Sequence, residues 1–244
     1  MKRFRKVLVP VDVRVPKHEA LERATRLAEE YGAQLKLIDV VEEVPVFLSL
    51  PAYGYPALSD TLAGERRGKL ESLADEIKKR GVSVETEVFY GKRFLEIIRE
   101  VLRNGHDLVV REAEPDSGTH VFGTTDMRLL RKCPAPVWLV RPNRARKYRR
   151  ILVAVDPIAE DGAAERLNLK ILELGASLAE REGDELHIIH AWNPAFTGLL
   201  ESGKGELAKK IAEAVRDRSR EDLTALLEHA GVTLPKKQVQ LGAG

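Results

Sequence analysis

The sequence predicts an α/β protein: two tandem copies of one fold, each built on a parallel sheet, with the second copy incomplete. Two observations carry this. The first is an internal repeat. FRKVLVPVD at 4–12 returns as YRRILVAVD at 148–156, and LAEEYGAQL at 27–35 returns as LAEREGDEL at 178–186. A repeat unit this long means two domains rather than a solenoid. The second is the alternation, within each copy, of short β-branched runs with stretches of helical period. That is the pattern of parallel strands joined by right-handed helical crossovers.

In the first copy, Lys6–Val11 and Leu35–Val41 are apolar, β-branched runs that read as buried strands. Between them, His18–Tyr31 places Leu21, Ala24, Leu27 and Ala28 on one helical face and ends at Gly32, a natural C-cap. The spacing of Leu70, Leu73, Ala74 and Ile77 predicts a second helix over Ala63–Arg80, stopping at Gly81. Ser83–Tyr90 is the third strand, and Phe94–Arg103 a short helix with Leu95, Ile98 and Leu102 inward. His106–Val110 is the fourth strand, Asp126–Lys132 a helix and Val137–Arg141 the fifth strand. The second copy runs strand (Arg150–Val155), helix (Asn168–Arg181), strand (Leu186–Trp192), long helix (Glu206–His229) and strand (Lys237–Leu241). Gly242 corresponds to Gly91, so counterparts of the fourth and fifth strands do not follow. The expected boundaries are a first domain at 1–142, a basic linker at 143–148 and a second domain at 149–244.

Composition narrows the function classes. With 43% hydrophobic and 32% charged residues, the chain can fill a core and remain soluble. No window approaches the roughly 18 unbroken apolar residues of a membrane span, and the apolar run after the basic N-terminus is too short for a signal sequence. A single cysteine, Cys133, suits a reducing compartment, so the expected location is cytoplasmic. A net charge of +2 gives no whole-chain argument for nucleic acid, and 5% aromatic residues argue against a stacking platform for single strands.

Three features together resemble the universal stress protein family in its tandem form. They are the paired first strands ending in Val-Asp, the two Leu-Ala-x-x-x-Gly-x-x-Leu passages, and the segment GTTDMRLLRKCPAPVWLV at 123–140. The wording of that last segment is most similar to the E subgroup. The resemblance implies Rossmann-like domains of the adenine-nucleotide-hydrolase kind, with strand order 3-2-1-4-5 and domains paired through their fifth strands. It also implies a nucleotide crevice where strand order reverses, between the ends of strands one and four. The candidate site residues are then Pro10, Val11, Asp12, Val40, Gly123, Thr124 and Thr125.

Within that frame the phosphate loop is degenerate. Family members that bind ATP carry Gly-x2-Gly-x9-Gly-Ser/Thr, because only glycines let backbone N–H groups approach phosphates closely at a helix start. Counting back from Gly123, the first two glycines fall on Ala113 and Val110; aligned on the strand instead, they fall on Glu112 and Pro115. Glu112, Glu114, Asp116 and Asp126 place four carboxylates around the expected triphosphate, with Arg111 as a potential offset. A like-charge pair near 4 Å costs about 1 kcal/mol in water and about 4 near a protein surface. Thr125 and Asp126 also read as an ordinary N-cap and first-turn acid. Tight ATP binding is therefore not expected, and no cofactor is assigned; ATP is the alternative.

Other chemistry is scarce. Gly198–Lys204 fits half of a P-loop, but Gly205 stands where Ser or Thr would hold Mg²⁺. His187 and His190 lie three apart on a strand and so point to opposite faces, which argues against a shared metal. Cys133 reads as a half-buried structural thiol. No catalytic constellation is visible, so the chain reads as a non-enzymatic stress-response binding or interaction protein. A slow ATPase is the first alternative. Anion or nucleic-acid contact through the linker Arg141–Arg150, with six basic residues in ten, is the second. The apolar loop Val44–Ala57 is a candidate lid, or a surface for a protein partner or small ligand. The strand Val137–Arg141, lacking a partner strand in the second copy, is expected to pair antiparallel with its equivalent in a second chain and give a homodimer.

Overall fold

The computed structural model describes residues 4–42, 55–114, 123–142, 149–158, 161–182, 185–192 and 206–243. It divides into two compact units, Met1–Arg144 and Ala145–Gly244. The first contains β1 (Lys6–Pro10), α1 (Glu19–Tyr31), β2 (Gln34–Val41), α2 (Tyr55–Lys79), β3 (Val84–Tyr90), α3 (Arg93–Asn104), β4 (Leu108–Glu112), α4 (Thr124–Lys132) and β5 (Val137–Val140). Its five strands are all parallel and lie in the order β3-β2-β1-β4-β5. That is the order the resemblance implies.

Side-chain alternation along the strands splits the core into two layers. Val7 and Val9 of β1 pack with Leu35 and Leu37 of β2 against Leu21 and Leu27 of α1 and Leu70 and Ile77 of α2. Leu8, Ile38 and Val109 point the other way, onto Ile97 and Val101 of α3 and Leu129 of α4. Gly32 (φ 65°) and Gly105 (φ 65°) end α1 and α3 in the left-handed region, each returning its N–H to the last turn.

Three sequence expectations are corrected in this unit. Helix α2 begins at Tyr55 rather than Ala63, so Tyr55, Pro56 and Ala57 are helical rather than loop. Pro56 falls in the first turn, where its missing N–H is not needed. Strand β4 runs through Arg111 and Glu112 instead of stopping at Val110. Its start moves from His106 because the Asp107 carboxylate turns back to accept the N–H groups of Arg5 and Lys6 at 2.8 and 3.1 Å. In α3, Leu102 is 67% exposed while Glu100 is 1% exposed. An ion pair rotates this face: Lys36 of β2 lies 2.8 Å from Glu100, drawing a carboxylate under the helix.

The second unit contains β6 (Arg150–Ala154), α5 (Gly162–Glu182), β7 (Glu185–Trp192), α6 (Glu206–His229), a short 3₁₀ turn at Lys236–Gln238, and β8 (Val239–Ala243). The strands are parallel in the order β6-β7-β8. Val153, Leu172, Leu186, Ile188 and Leu223 form its core. Helix α5 starts earlier than Asn168 because Asp161 accepts the N–H groups of Ala163 and Ala164 at 2.9 and 2.7 Å, an N-cap. The 3₁₀ turn moves β8 two residues beyond its expected start at Lys237. Leu152, at the repeat position of the fully buried Leu8, is 61% exposed. The α3 and α4 side chains that cover Leu8 have no counterpart among the described residues of this unit.

Candidate functional site

Strand β1 pairs with β2 on one side and β4 on the other, so a crevice opens beyond the C-terminal ends of β1 and β4. Pro10 lines it at the end of β1, Val11 and Asp12 just after, Asp39 and Val40 at β2, Arg93 at the start of α3, and Arg111 and Glu112 at the end of β4. The space within it is about 50 Å³, which admits a few waters.

Each acid in the crevice has a cation or a helix start as its partner. Asp12 is gripped by Arg14, whose Nε and Nη2 lie 2.8 and 2.6 Å from its two oxygens, and whose backbone N–H adds a third bond at 3.0 Å. The Arg14 hydrogen bonds lower the Asp12 pKa to about 2, against partial burial. Asp39 is 1% exposed, and burial pushes its pKa up. Arg66 of α2, 3.0 Å away, and the Val40 N–H at 2.8 Å act in the opposite sense.

The end of β4 carries the densest arrangement. Because alternate strand residues face opposite sides, Arg111 and Glu112 part company. Glu112 Oε1 accepts the backbone N–H of Glu19 at 2.5 Å and of Ala20 at 3.4 Å, capping α1 from another strand. His18, the N-cap residue of α1, makes no side-chain cap bond. Arg111, 5% exposed, extends toward α4. Its Nη1 lies 3.0 Å from Asp126 Oδ1, its Nη2 3.4 Å from Glu114 Oε1, and its Nε donates to the Glu112 carbonyl at 3.2 Å. Asp126 is fully buried and its other oxygen accepts the Glu114 N–H at 2.7 Å. Burial raises the Asp126 pKa, with Arg111 opposing. Glu114 Oε2 accepts the Thr125 N–H at 3.2 Å. Burial would raise the Glu114 pKa, but the hydrogen bonds from Thr125 and the charge of Arg111 outweigh it and the net shift is downward.

The structure brings Pro10, Val11, Asp12 and Val40 together in the crevice. Gly123, Thr124 and Thr125 stand at the start of α4 rather than lining that space, with Gly123 and Thr125 against Glu114. The N-cap of α4 is Gly123, and Thr125 lies inside the first turn, so the expected Thr125 cap is corrected. A side chain 11 residues away in sequence, Glu114, supplies the acceptor instead. Neither cap role of Glu112 and Glu114 is visible in the sequence; the only signal is a charged Arg-Glu-x-Glu run closing an apolar strand. Asp116, the half P-loop at 198–204, loop residues 44–54 and linker residues 143–148 lie outside the described residues.

Elsewhere the described residues contain no cluster of three or more His, Cys, Asp or Glu side chains placed to share a metal. His190 is buried with its Nδ1 3.1 Å from the Val155 carbonyl, whereas His187 pairs with Glu185 at 3.1 Å. Cys133 is half-buried, and burial pushes its thiol pKa up, away from a reactive thiolate. In the second unit, Asp156 exchanges backbone hydrogen bonds with the Asn168 side chain at 3.1 and 2.5 Å. No helix among the described residues is long and apolar enough to cross a membrane.

Comparison with known proteins adds the following. Residues 3–141 match the universal stress protein family. The chain is 30% identical over 200 residues to universal stress protein E of Escherichia coli strain K12, covering 79% of this chain and 63% of that protein. It is 29% identical over 209 residues to a universal stress protein E homolog of Haemophilus influenzae, covering 79% and 66%. The chain thus spans less than two thirds of the length of these relatives. A crystal structure of a functionally unknown protein from Pseudomonas aeruginosa PAO1 aligns with a TM-score of 0.70 at 23% identity, covering all of this chain and 75% of that one. At that identity the likeness is one of fold.

Proposed function

Because this chain belongs to the universal stress protein family, we propose that it acts in stress response as a binding and interaction module, and that its first unit does not hold ATP tightly. Family membership supports the stress-response role. One observation carries the second half of the reading. The Glu114 carboxylate sits on the Thr125 N–H at the start of α4, where a phosphate group would need that same donor. Glu112 claims the N–H groups at the start of α1, across the crevice. The sequence sets four acids against a triphosphate with Arg111 as a potential offset. Of the three described, Asp126 and Glu114 share that one cation, and Glu112 and Glu114 occupy helix-start donors, so occupied donors support the reading beside repulsion. An ATP-binding protein with slow turnover is the second reading, favoured by Asp12, Val40 and Arg93 sharing one crevice.

Titration calorimetry with ATP·Mg separates the two. The expected result is no saturable heat below about 1 mM, and a dissociation constant of about 1 μM would overturn the proposal.

Strand β5 pairs with β4 on one side, and no strand occupies its other edge among the described residues of the first unit. We propose that this edge pairs antiparallel with its equivalent in a second chain, a closed two-fold arrangement that buries an open edge. Sedimentation at about 30 μM, a concentration well above a 1 μM dissociation constant, should give a dimer. A monomer there rules the pairing out.

A further inference from the structure

We propose that Glu114 is an internal anion: its carboxylate fills the position at the start of α4 that an external oxyanion would take, so the first unit is self-liganded there. This rests on the reading that ATP is not held tightly, and supplies its cause.

Gly123 provides the first argument. A Cβ built on Gly123 would lie 2.1 Å from Glu114 Oε2 and 2.5 Å from Glu114 Cβ. No real side chain fits at those distances, so the glycine is required by the Glu114 side chain packed on it, its Cβ as well as its carboxylate. The same close approach that a phosphate demands of a helix-start glycine is here used by a residue of the chain itself.

Arg111 provides the second, independent argument. It is 5% exposed, and its Nη1 has no acceptor in hydrogen-bond geometry despite the ion pair to Asp126 at 3.0 Å. Its Nη2 reaches Glu114 Oε1 only at 3.4 Å. Charge-assisted bonds of this type run about 2.7–2.9 Å. A buried guanidinium is thus aimed at the helix start with part of its donor capacity unused. Glu114, tethered through its own backbone N–H to Asp126 at 2.7 Å, reaches it incompletely. A tetrahedral oxyanion freed from that tether could meet both Arg111 and the Thr125 N–H.

An ordinary cap and an internal anion differ in what their removal produces. Glu114→Ala and Glu114→Ser are titrated with inorganic phosphate at low ionic strength, following the Thr125 amide resonance. The wild-type chain should not respond up to about 20 mM, and the variants should saturate at least about ten-fold lower, at millimolar phosphate. Gly123→Ala should lower the melting temperature in the wild-type background and be tolerated in Glu114→Gly, because the clash with the Glu114 Cβ and carboxylate leaves with the side chain. Folded variants that ignore phosphate would overturn the proposal. So would a Gly123→Ala penalty that is the same in the wild-type and Glu114→Gly backgrounds, or loss of the fold in both Glu114→Ala and Glu114→Ser. Micromolar ATP binding by the wild-type chain would instead remove the reading on which this rests. A wild type silent to ATP beside a Glu114→Ala silent to phosphate removes the internal anion alone.

Discussion

Arg111→Met lowers the stability of the first unit by about 3–5 kcal/mol at neutral pH, the cost of leaving a buried carboxylate without its cation. Asp126 is fully buried and 3.0 Å from the guanidinium, so truncation strands its charge and loosens Glu114 as well. Equilibrium urea unfolding measures the loss. The double variant Arg111→Met/Asp126→Asn should recover most of it, because the stranded charge is removed too. The pH dependence has a definite sign. Burial raises the Asp126 pKa in the folded state, so the folded protein holds that proton more readily than the unfolded chain. Stability therefore falls as pH rises through the interval between the two pKa values. Without Arg111 that interval widens upward, so the variant's deficit is largest at neutral pH and shrinks in acid. A deficit under about 1 kcal/mol, the range of an exposed pair, would contradict this account.

Lys36→Met has a comparable effect for a different reason. Glu100 is 1% exposed beneath α3; Lys36 lies 2.8 Å from its Oε1, and Asn104 and His106 reach the same oxygen at 2.6 and 3.1 Å. Lys36 also meets Glu87 at 2.6 Å. Burial would raise the Glu100 pKa, but the Lys36, His106 and Asn104 bonds outweigh it and the net shift is downward. Burial would lower the Lys36 pKa, but Glu100 and Glu87 hold it up. The Glu100 contribution is therefore present above its unfolded pKa of about 4.3 and lost as pH falls through the lower folded value. The Lys36 contribution is present below its unfolded pKa of about 10.4 and lost as pH rises through the higher folded value. Lys36→Met should cost about 3–5 kcal/mol at pH 7 and weaken the acid limb of the stability–pH profile. A variant as stable as the wild type at pH 7 would show that Glu100 does not depend on this ammonium.

These two ion pairs mark the limit of what the sequence discloses. Apolar period and the internal repeat identify β1, β2 and α1 to within a residue or two, because Leu8, Leu37 and Leu27 are buried for the ordinary reason that they are apolar. The same rule puts Leu102 inward; the structure leaves Leu102 exposed and buries Glu100 instead. The cause is Lys36, on a strand far away in sequence, and a hydropathy pattern does not register such a partner. The site shows the same division. The repeat and the resemblance single out Asp12 and Val40, and they do share a crevice. Glu112 caps α1 across 93 residues, so no local cap motif announces it. The acids around the expected phosphate position are legible as acids; that Glu112 and Glu114 cap helix starts depends on backbone N–H groups, which every residue except proline has.

The end of β4 also governs how the first unit opens. Arg111 and Glu112 are consecutive, yet one is tied to the start of α4 and the other to the start of α1. Inserting or deleting a single residue in β4 would exchange their faces, aiming a carboxylate at Asp126 and a guanidinium at the positive end of α1. The register of this short strand is thus locked by charge as well as by Val109 and Val110. Fraying at its C-terminal end would release both helix starts together, making Glu19, Ala20 and Thr125 members of one cooperative opening unit although they belong to helices on opposite faces of the sheet.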